Sequence, residues 1–175
     1  QSLVRHRSVA IVDYTGSSTF GAWVRANAGE AQVHTEEAGV NSIVIAGTHG
    51  KTSTTALAAW LLTSAGRDPS ALVGGIVLDF EGSYRLGSGR DFVIEGDEYD
   101  SAFFDKTAKF LKYVPDIAVI GNLEYDHADI YPDMDSLRTA FRRFVGLVPR
   151  HGRLIVGAES PEAVAVAEGA RAPVE

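Results

Sequence analysis

Ser42-Ile43-Val44-Ile45-Ala46-Gly47-Thr48-His49-Gly50-Lys51-Thr52-Ser53 decides the fold of this chain. An apolar β-branched run enters a glycine-rich turn, and the run Thr54 to Ala65 leaves it with helical character. Strand, glycine turn, Lys-Thr and helix is the architecture of a phosphate-binding loop. Glycines let the backbone turn tightly and approach a ligand with no Cβ in the way. The first N–H groups of a helix lack intrahelical partners, and the helix dipole favours an anion there. Lys51 adds a mobile cation for the β- and γ-phosphates, and Thr52 a hydroxyl for Mg²⁺. The general pattern leaves four free positions between its first glycine and Gly-Lys-[Ser/Thr]. Here that first position is Ile45 and the glycine stands at Gly47, so this is the shorter GTxGKT[ST] form. A glycine turn with a solvated lysine is the bland reading. The strand before and the helix after favour a nucleotide site.

The bulk numbers bound the rest. With 175 residues, 45% hydrophobic and 22% charged, the chain suits one globular α/β domain with a real core. It has no cysteine, which excludes disulfides and thiolate metal sites and is compatible with a cytoplasmic location. A net charge of −7 argues against a general nucleic-acid or anionic-membrane binder. No apolar run approaches the roughly 20 residues that span a bilayer, so no membrane insertion is expected. Residues 1–7 lack the apolar core of a signal peptide. The sequence opens on Gln1, not Met, as a piece of a longer protein would.

Outward from the loop, Ser8–Val12 reads as a short strand, Thr19–Ala28 as a helix ended by Gly29, and Ala31–His34 as a second strand, so residues 8–34 form a β-α-β unit. Asp13–Ser18 reads as a polar turn and Thr35–Gly39 as a connector. Gly16-Ser17-Ser18-Thr19 looks like a phosphate turn but has no following lysine. The helix after the phosphate loop is apolar nearly all round (Ala56, Leu57, Ala58, Ala59, Trp60, Leu61, Leu62), which predicts burial against a sheet. Gly66 and Pro69 stop it. Residues 71–78 and the glycine-rich stretch to Gly89 read as strand and loop with little chemistry. Asp91–Ile94 is a strand that ends in four acids, Glu95, Asp97, Glu98 and Asp100. Ligands gather at the carboxyl ends of strands in α/β sheets, and Mg²⁺ needs only one or two carboxylates beside phosphate oxygens and water. Four acids in six residues also repel one another, a cost that a bound cation relieves.

Ser101–Phe110 reads as a helix capped by Asp100 or Ser101, with Phe103 and Phe104 as core or domain-contact residues. Ile117–Ile120 is a strand that runs into Gly121-Asn122-Leu123-Glu124-Tyr125-Asp126-His127-Ala128-Asp129. A lone histidine is more often structural, but His127 beside Asp126 and Asp129 points to a metal or phosphate. A helix capped by Asp133 or Asp135 runs to about Val148, with Leu137, Phe141, Phe144, Val145 and Val148 on one face and Arg138, Arg142 and Arg143 solvated. Residues 153–156 make a last strand. Glu159–Glu168 makes a helix with Pro161 at its start, and Gly169–Glu175 a frayed end. The fold class expected is α/β, a P-loop-containing three-layer domain with a mostly parallel sheet and helices on both faces.

Three strands end in chemistry, GTHGKTS, EGDEYD and NLEYDHAD, in that order. The triple resembles the central ATP-binding domain of the Mur ligases over about residues 41–156, and Glu95–Lys106 is its most telling part. The resemblance implies three segments: residues 1–40 of unclear assignment, a partial central domain over 41–158, and a terminal helix and tail over 159–175. It implies an ATP-dependent carboxylate–amine ligase in which a carboxylate takes the γ-phosphoryl group and an amine displaces phosphate from the acyl phosphate. The substrates implied are UDP-N-acetylmuramate and an amino acid or peptide, in peptidoglycan recycling or biosynthesis in the cytoplasm. By match, Gly47, Thr48, His49, Gly50, Lys51, Thr52, Ser53 and Asn122 line the ATP site. Lys51 stabilises the transferring phosphoryl group, Thr52 and Glu95 hold one Mg²⁺, and His127 serves a second. Gly96 stands where the family has Ala, and Ser53 where Thr is commoner. Residues 1–40 show no glycine-rich nucleotide loop, and the family's adenine-contacting and amino-acid-binding parts are expected in a parent protein with N- and C-terminal Mur ligase domains. Other readings are a truncated ATP-binding module without turnover and a folylpolyglutamate synthase-type ligase, against which EGDEYDSAFFDK argues. An unrelated P-loop GTPase would carry Asn-Lys-x-Asp, which is absent.

Overall fold

A computed structural model of the protein describes residues 4–6, 8, 9, 11–16, 18–29, 31–37, 40–102, 105–126 and 128–175. The chain divides into two compact units, residues 1–40 and 41–175. In the first, β1 (Ile11–Gly16) and β2 (Gln32–Glu37) pair in parallel across α1 (Ser18–Asn27). Val24 and Ala28 are buried, Trp23 stacks with Phe20 at a centroid distance of 5.2 Å, and the Arg5 guanidinium lies 5.2 Å from the Trp23 ring. The strands are later and longer than the apolar pattern implies. Asp13 to Gly16, read as turn, and Thr35 to Glu37, read as connector, are strand, because parallel pairing gives their backbone groups partners whatever the side chains.

The second unit is built on β3 (Asn41–Ala46). It continues through α2 (Lys51–Ser64), β4 (Ser70–Val77), β5 (Gly82–Arg85) and β6 (Asp91–Gly96). A short hairpin follows, β7 (Asp100–Ala102) and β8 (Asp105–Ala108), and then β9 (Ile117–Ile120), α3 (Met134–Leu147), β10 (Arg153–Val156) and α4 (Pro161–Ala167). The sheet order is β10-β9-β3-β6-β4-β5, parallel except for β5. Side-chain alternation sorts the faces. Ile43, Ile45, Val93 and Val119 pack with Ala58, Ala59 and Leu62 of α2. Val44, Ala46, Ile94, Ala118 and Ile120 pack with α3 and α4 on the other side, around Phe141, Phe144 and Val166. The chain leaves β3 toward β4 on one side, while β9 sits on the other side of β3. The carboxyl ends of β3 and β9 therefore flank the switch point where ligands bind in such sheets.

Four local expectations fail for physical reasons. The stretch read as a helix over 101–110 is the β7–β8 hairpin and a 3₁₀ turn at Lys109–Lys112. Polar side chains capture the backbone there. Asp105 accepts from the Thr107 N–H at 3.1 Å, and Ser101 Oγ donates to the Thr107 carbonyl at 2.9 Å. Phe103 and Phe104 lie outside the described residues. The helix α2 is not buried all round. It seals the sheet with Thr55 and Ala59, leaving Leu57, Trp60 and Leu61 about half exposed. Residues 169–175 do not fray. The chain turns back along β10, where the Leu154 N–H donates to Pro173 and the Glu175 N–H to Leu154, at 3.0 and 2.9 Å. Arg138, read as solvated, is held between Glu162 of α4 and Asp135. Asp133 caps α3 by accepting from the Ser136 N–H at 2.7 Å.

Candidate functional site

β3 delivers a buried Ala46 to the sheet's edge, and the loop begins at Gly47. Gly47 has φ +132°, and a Cβ there would fall 2.7 Å from the Asn122 carbonyl oxygen. Only glycine fits a left-handed backbone pressed against another backbone. Gly50 turns the chain back at φ +76°, and Lys51 is the first helical residue. Asn122, just past β9, ties the loop down. Its carbonyl accepts from the Thr48 N–H and its side-chain Oδ1 from the His49 N–H, both at 2.9 Å. Thr48 Oγ1 also accepts from the Glu124 N–H at 2.9 Å. The His49 ring reaches outward, 4.0 Å from Glu124, with both side chains about two-thirds exposed.

The four acids after β6 do not form one cluster. Glu95 faces the loop's Thr52, whose hydroxyl donates to Glu95 Oε1 at 2.8 Å. Its other oxygen accepts from the Gly74 N–H of β4. Asp97 turns to Lys109 at 2.7 Å and to the Tyr99 N–H at 3.0 Å. Burial pushes the Asp97 carboxyl up, but the Lys109 hydrogen bond and the Tyr99 N–H outweigh it and leave it below its ordinary value. Glu98 is 2% exposed and takes the Lys51 ammonium at 3.0 Å. Asp100 enters β7. The mutual repulsion expected of the cluster is thus dispersed by separate partners. Tyr131 is pushed up to about 12, by burial first and then by the charges of Glu98, Asp100 and Asp97. It donates to the Glu98 carbonyl at 2.8 Å.

Of the residues singled out from sequence, Gly47 to Ser53, Glu95 and Asn122 converge at the carboxyl ends of β3, β6 and β9. His127 lies outside the described residues. Among the described residues no three His, Cys, Asp or Glu side chains group to hold a metal. Thr52 and Glu95 nonetheless offer two hard oxygens side by side beside a helix N-terminus, a donor set suited to Mg²⁺ that completes its shell with phosphate and water. Sequence reading missed two participants. Gly74 lies in a stretch read as chemically silent, yet a Cβ there would sit 2.8 Å from Glu95 Oε2. The signal was available: paired glycines inside a strand mark close backbone approach. Glu98 was grouped with its neighbours, and nothing in the spacing marks it as the one that turns inward. A separate cleft of about 320 Å³, lined by Val156, Val164, Ala167 and Val174, lies at the β10 edge and carries no phosphate chemistry.

Comparisons with known proteins bear on the family and the fold. The family profile described as the Mur ligase middle domain matches residues 45–174. The UDP-N-acetylmuramate–L-alanyl-γ-D-glutamyl-meso-2,6-diaminoheptandioate ligase of Escherichia coli K12 is 47% identical over 113 residues, 65% of this chain and 25% of that protein. The UDP-N-acetylmuramate–L-alanine ligase of Chlorobium phaeobacteroides BS1 is 47% identical over 122 residues, 70% of this chain and 25% of that protein. Among solved structures, UDP-N-acetylmuramate:L-alanyl-γ-D-glutamyl-meso-diaminopimelate ligase from Neisseria meningitides superposes with a TM-score of 0.73 at 33% identity, covering 93% of this chain and 57% of that one. Escherichia coli FolC in complex with DHPP and ADP shares the fold at 16% identity and a TM-score of 0.55, covering 78% of this chain and 42% of that one. The chain spans about a quarter of the length of the curated relatives it matches.

Proposed function

Because this chain belongs to the Mur ligase family through its middle domain, we propose that it binds Mg-ATP at the Gly47–Ser53 loop as the phosphoryl-transfer core of an amide-forming ligase. One observation carries the reading. The Thr52 hydroxyl in the first turn of α2 and the Glu95 carboxylate at the carboxyl end of β6 meet at 2.8 Å beside the α2 N-terminus, where the first N–H groups of a helix lack intrahelical partners. That arrangement offers a hydroxyl and a carboxylate to a cation and backbone donors to an anion, the two halves of a metal–phosphate complex. The ADP named with the FolC structure, a fold relative, supports the same ligand class.

In the reaction proposed for the parent enzyme, a substrate carboxylate attacks the γ-phosphorus of ATP and ADP leaves, forming an acyl phosphate. The incoming amine then attacks the acyl carbon and phosphate departs. The relatives' names support UDP-N-acetylmuramate as the carboxylate substrate, L-alanine or an L-alanyl-γ-D-glutamyl peptide as the amine, and peptidoglycan assembly or recycling in the cytoplasm as the setting of the proposed reaction. This chain's part is to bind and orient. Loop N–H groups cradle the phosphates, Lys51 offsets charge on the transferring group, and Asn122 fixes the loop's position. Thr52 and Glu95 would hold one Mg²⁺ and His127 a second. A metal held by these residues would supply charge neutralisation to the phosphates.

The test is ATP binding with Mg²⁺ and with EDTA, for the wild-type chain and for Glu95→Gln. We expect Mg²⁺ to tighten ATP binding in the wild type and to have little effect in the variant, with Glu98→Gln still responding to the metal. Equal Mg²⁺ responses in all three would place the metal elsewhere. For the parent enzyme, ADP release over many turnovers should require both UDP-N-acetylmuramate and the amine.

A further inference from the structure

Glu98 belongs to no role described so far, yet it is the most deeply buried acid at the site. Its side chain is 2% exposed, and its carboxylate lies 3.0 Å from the Lys51 ammonium, itself 17% exposed. The backbone around it is braced on two sides. Tyr131 OH donates to the Glu98 carbonyl at 2.8 Å. The Phe110 N–H donates to Asp97 at 3.1 Å and the Lys109 N–H to Tyr99 at 3.0 Å. Phe110 is fully buried against Phe141 and Phe144, with ring centroids 5.0 and 4.9 Å away. The 3₁₀ turn after the hairpin therefore anchors Glu98 to the core, while the phosphate loop it serves is held from the other side by Asn122.

Donor counting gives the consequence. An ammonium has three N–H donors. Those of Lys51 go to the Gly47 carbonyl at 2.8 Å, the Thr48 carbonyl at 3.3 Å and Glu98 Oε1 at 3.0 Å. To reach a phosphate, Lys51 must give up at least one. Leaving the loop carbonyls is cheap, because they are neutral acceptors and a phosphate oxygen replaces them with a charged one. Leaving Glu98 would give up a 3.0 Å ion pair to a carboxylate that is 2% exposed, a larger cost than losing a neutral carbonyl.

We propose that Glu98 is a positioning residue: Lys51 swings on it as a pivot, exchanging the Gly47 and Thr48 carbonyls for phosphate oxygens while keeping the carboxylate. Glu98 then aims the lysine without touching the nucleotide. The inference rests on the Mg-ATP reading above and adds a residue to it.

The experiment is a double-mutant cycle on Mg-ATP affinity with wild type, Glu98→Gln, Lys51→Met and both together, each shown to melt cooperatively. Gln keeps the shape and an acceptor but removes the charge. The expected result is a loss of about tenfold or more in affinity for Glu98→Gln when Lys51 is present. In the Lys51→Met background the same change should cost less than about twofold. A residue that only supports the fold would cost the same in both backgrounds, and that result overturns the proposal, as does unchanged or tighter binding in Glu98→Gln. Failure of the wild-type chain to bind Mg-ATP would instead overturn the nucleotide reading itself and the pivot with it. A second measurement needs no variant at Glu98. The chain has four lysines, so the Lys51 ammonium is assignable by its loss in Lys51→Met. In ¹⁵N-lysine spectra it should be protected from exchange in the free chain and stay protected with Mg-ATP. An unprotected signal, or one released when nucleotide binds, would show Lys51 leaving Glu98 and would refute the pivot.

Discussion

Lys51 and Glu98 set the terms at the scale of single residues. Truncating the lysine removes the loop's cation, but it also leaves a carboxylate at 2% exposure with its ammonium gone. We predict that Lys51→Ala weakens Mg-ATP binding by about a hundredfold while leaving it measurable, and lowers stability by about 3 kcal/mol, the usual cost of breaking a buried pair from one side. Chemical denaturation reads the second effect, and a variant as stable as wild type would contradict the burial argument. Sequence reading singles out Lys51, Thr52 and Glu95 because loop and strand-end chemistry has a readable spacing. It could not spell out Glu98's orientation, which depends on Tyr131 and Phe110 arriving from later in the chain to fix the turn between β6 and β7. Gly74 shows the same limit in milder form. Its pairing with Gly75 was visible, but that Glu95 fills the space above it depends on β4 lying beside β6.

Among elements, the strand–loop–helix unit from β3 to α2 is the most demanding. Gly47 combines φ +132° with backbone contact to Asn122. Gly47→Ala should therefore destabilise by about 2 kcal/mol or more and detach the loop from the strand end of β9. Thermal melts check the first effect and ATP titration the second; a neutral substitution would mean the loop can relax away from Asn122. The same unit was legible in sequence because a β-branched run, glycines and a helix former follow one another without ambiguity. The β7–β8 hairpin was not, since residues 101–110 carry a helix-compatible composition and only the side-chain bonds of Ser101 and Asp105 to the backbone decide against it. The tail from 169 to 175 was misjudged for a related reason. Its order comes from hydrogen bonds to β10, which no local pattern announces.

At the scale of the whole molecule, the two apolar clusters found among the described residues lie within residues 41–175, one on each face of the six-stranded sheet. A chain of residues 41–175 alone should melt cooperatively and keep its Mg-ATP affinity; loss of the transition would show that residues 1–40 are needed for the larger unit to fold. Acid stability follows from the carboxylates. Asp68 is lowered to about 2 by the Ser88 N–H and hydroxyl and by Arg85, and Asp105 to about 2 by Lys112 and Thr107. Asp91 lies below its ordinary value because Arg67 holds it with two hydrogen bonds, which outweighs its burial. Each depressed group binds protons in the unfolded chain first. Its contribution is complete above about pH 4 and drains as pH falls toward about 2. The melting temperature should therefore drop steeply below about pH 4, and a flat profile from pH 5 to 3 would contradict these pairings. The α/β class and the parallel sheet were readable from the alternation of strands and helices. The strand order was not, because placing β6 between β3 and β4 is a choice of long-range packing.

Calorimetric titration of the 175-residue chain with Mg-ATP, with Lys51→Ala alongside, tests the central claim most directly. Saturable one-site binding by the wild type and binding about a hundredfold weaker by Lys51→Ala is the predicted result. Equal binding by both, or none by a wild-type chain that melts cooperatively, would contradict the assignment of Gly47–Ser53 as a working phosphate site.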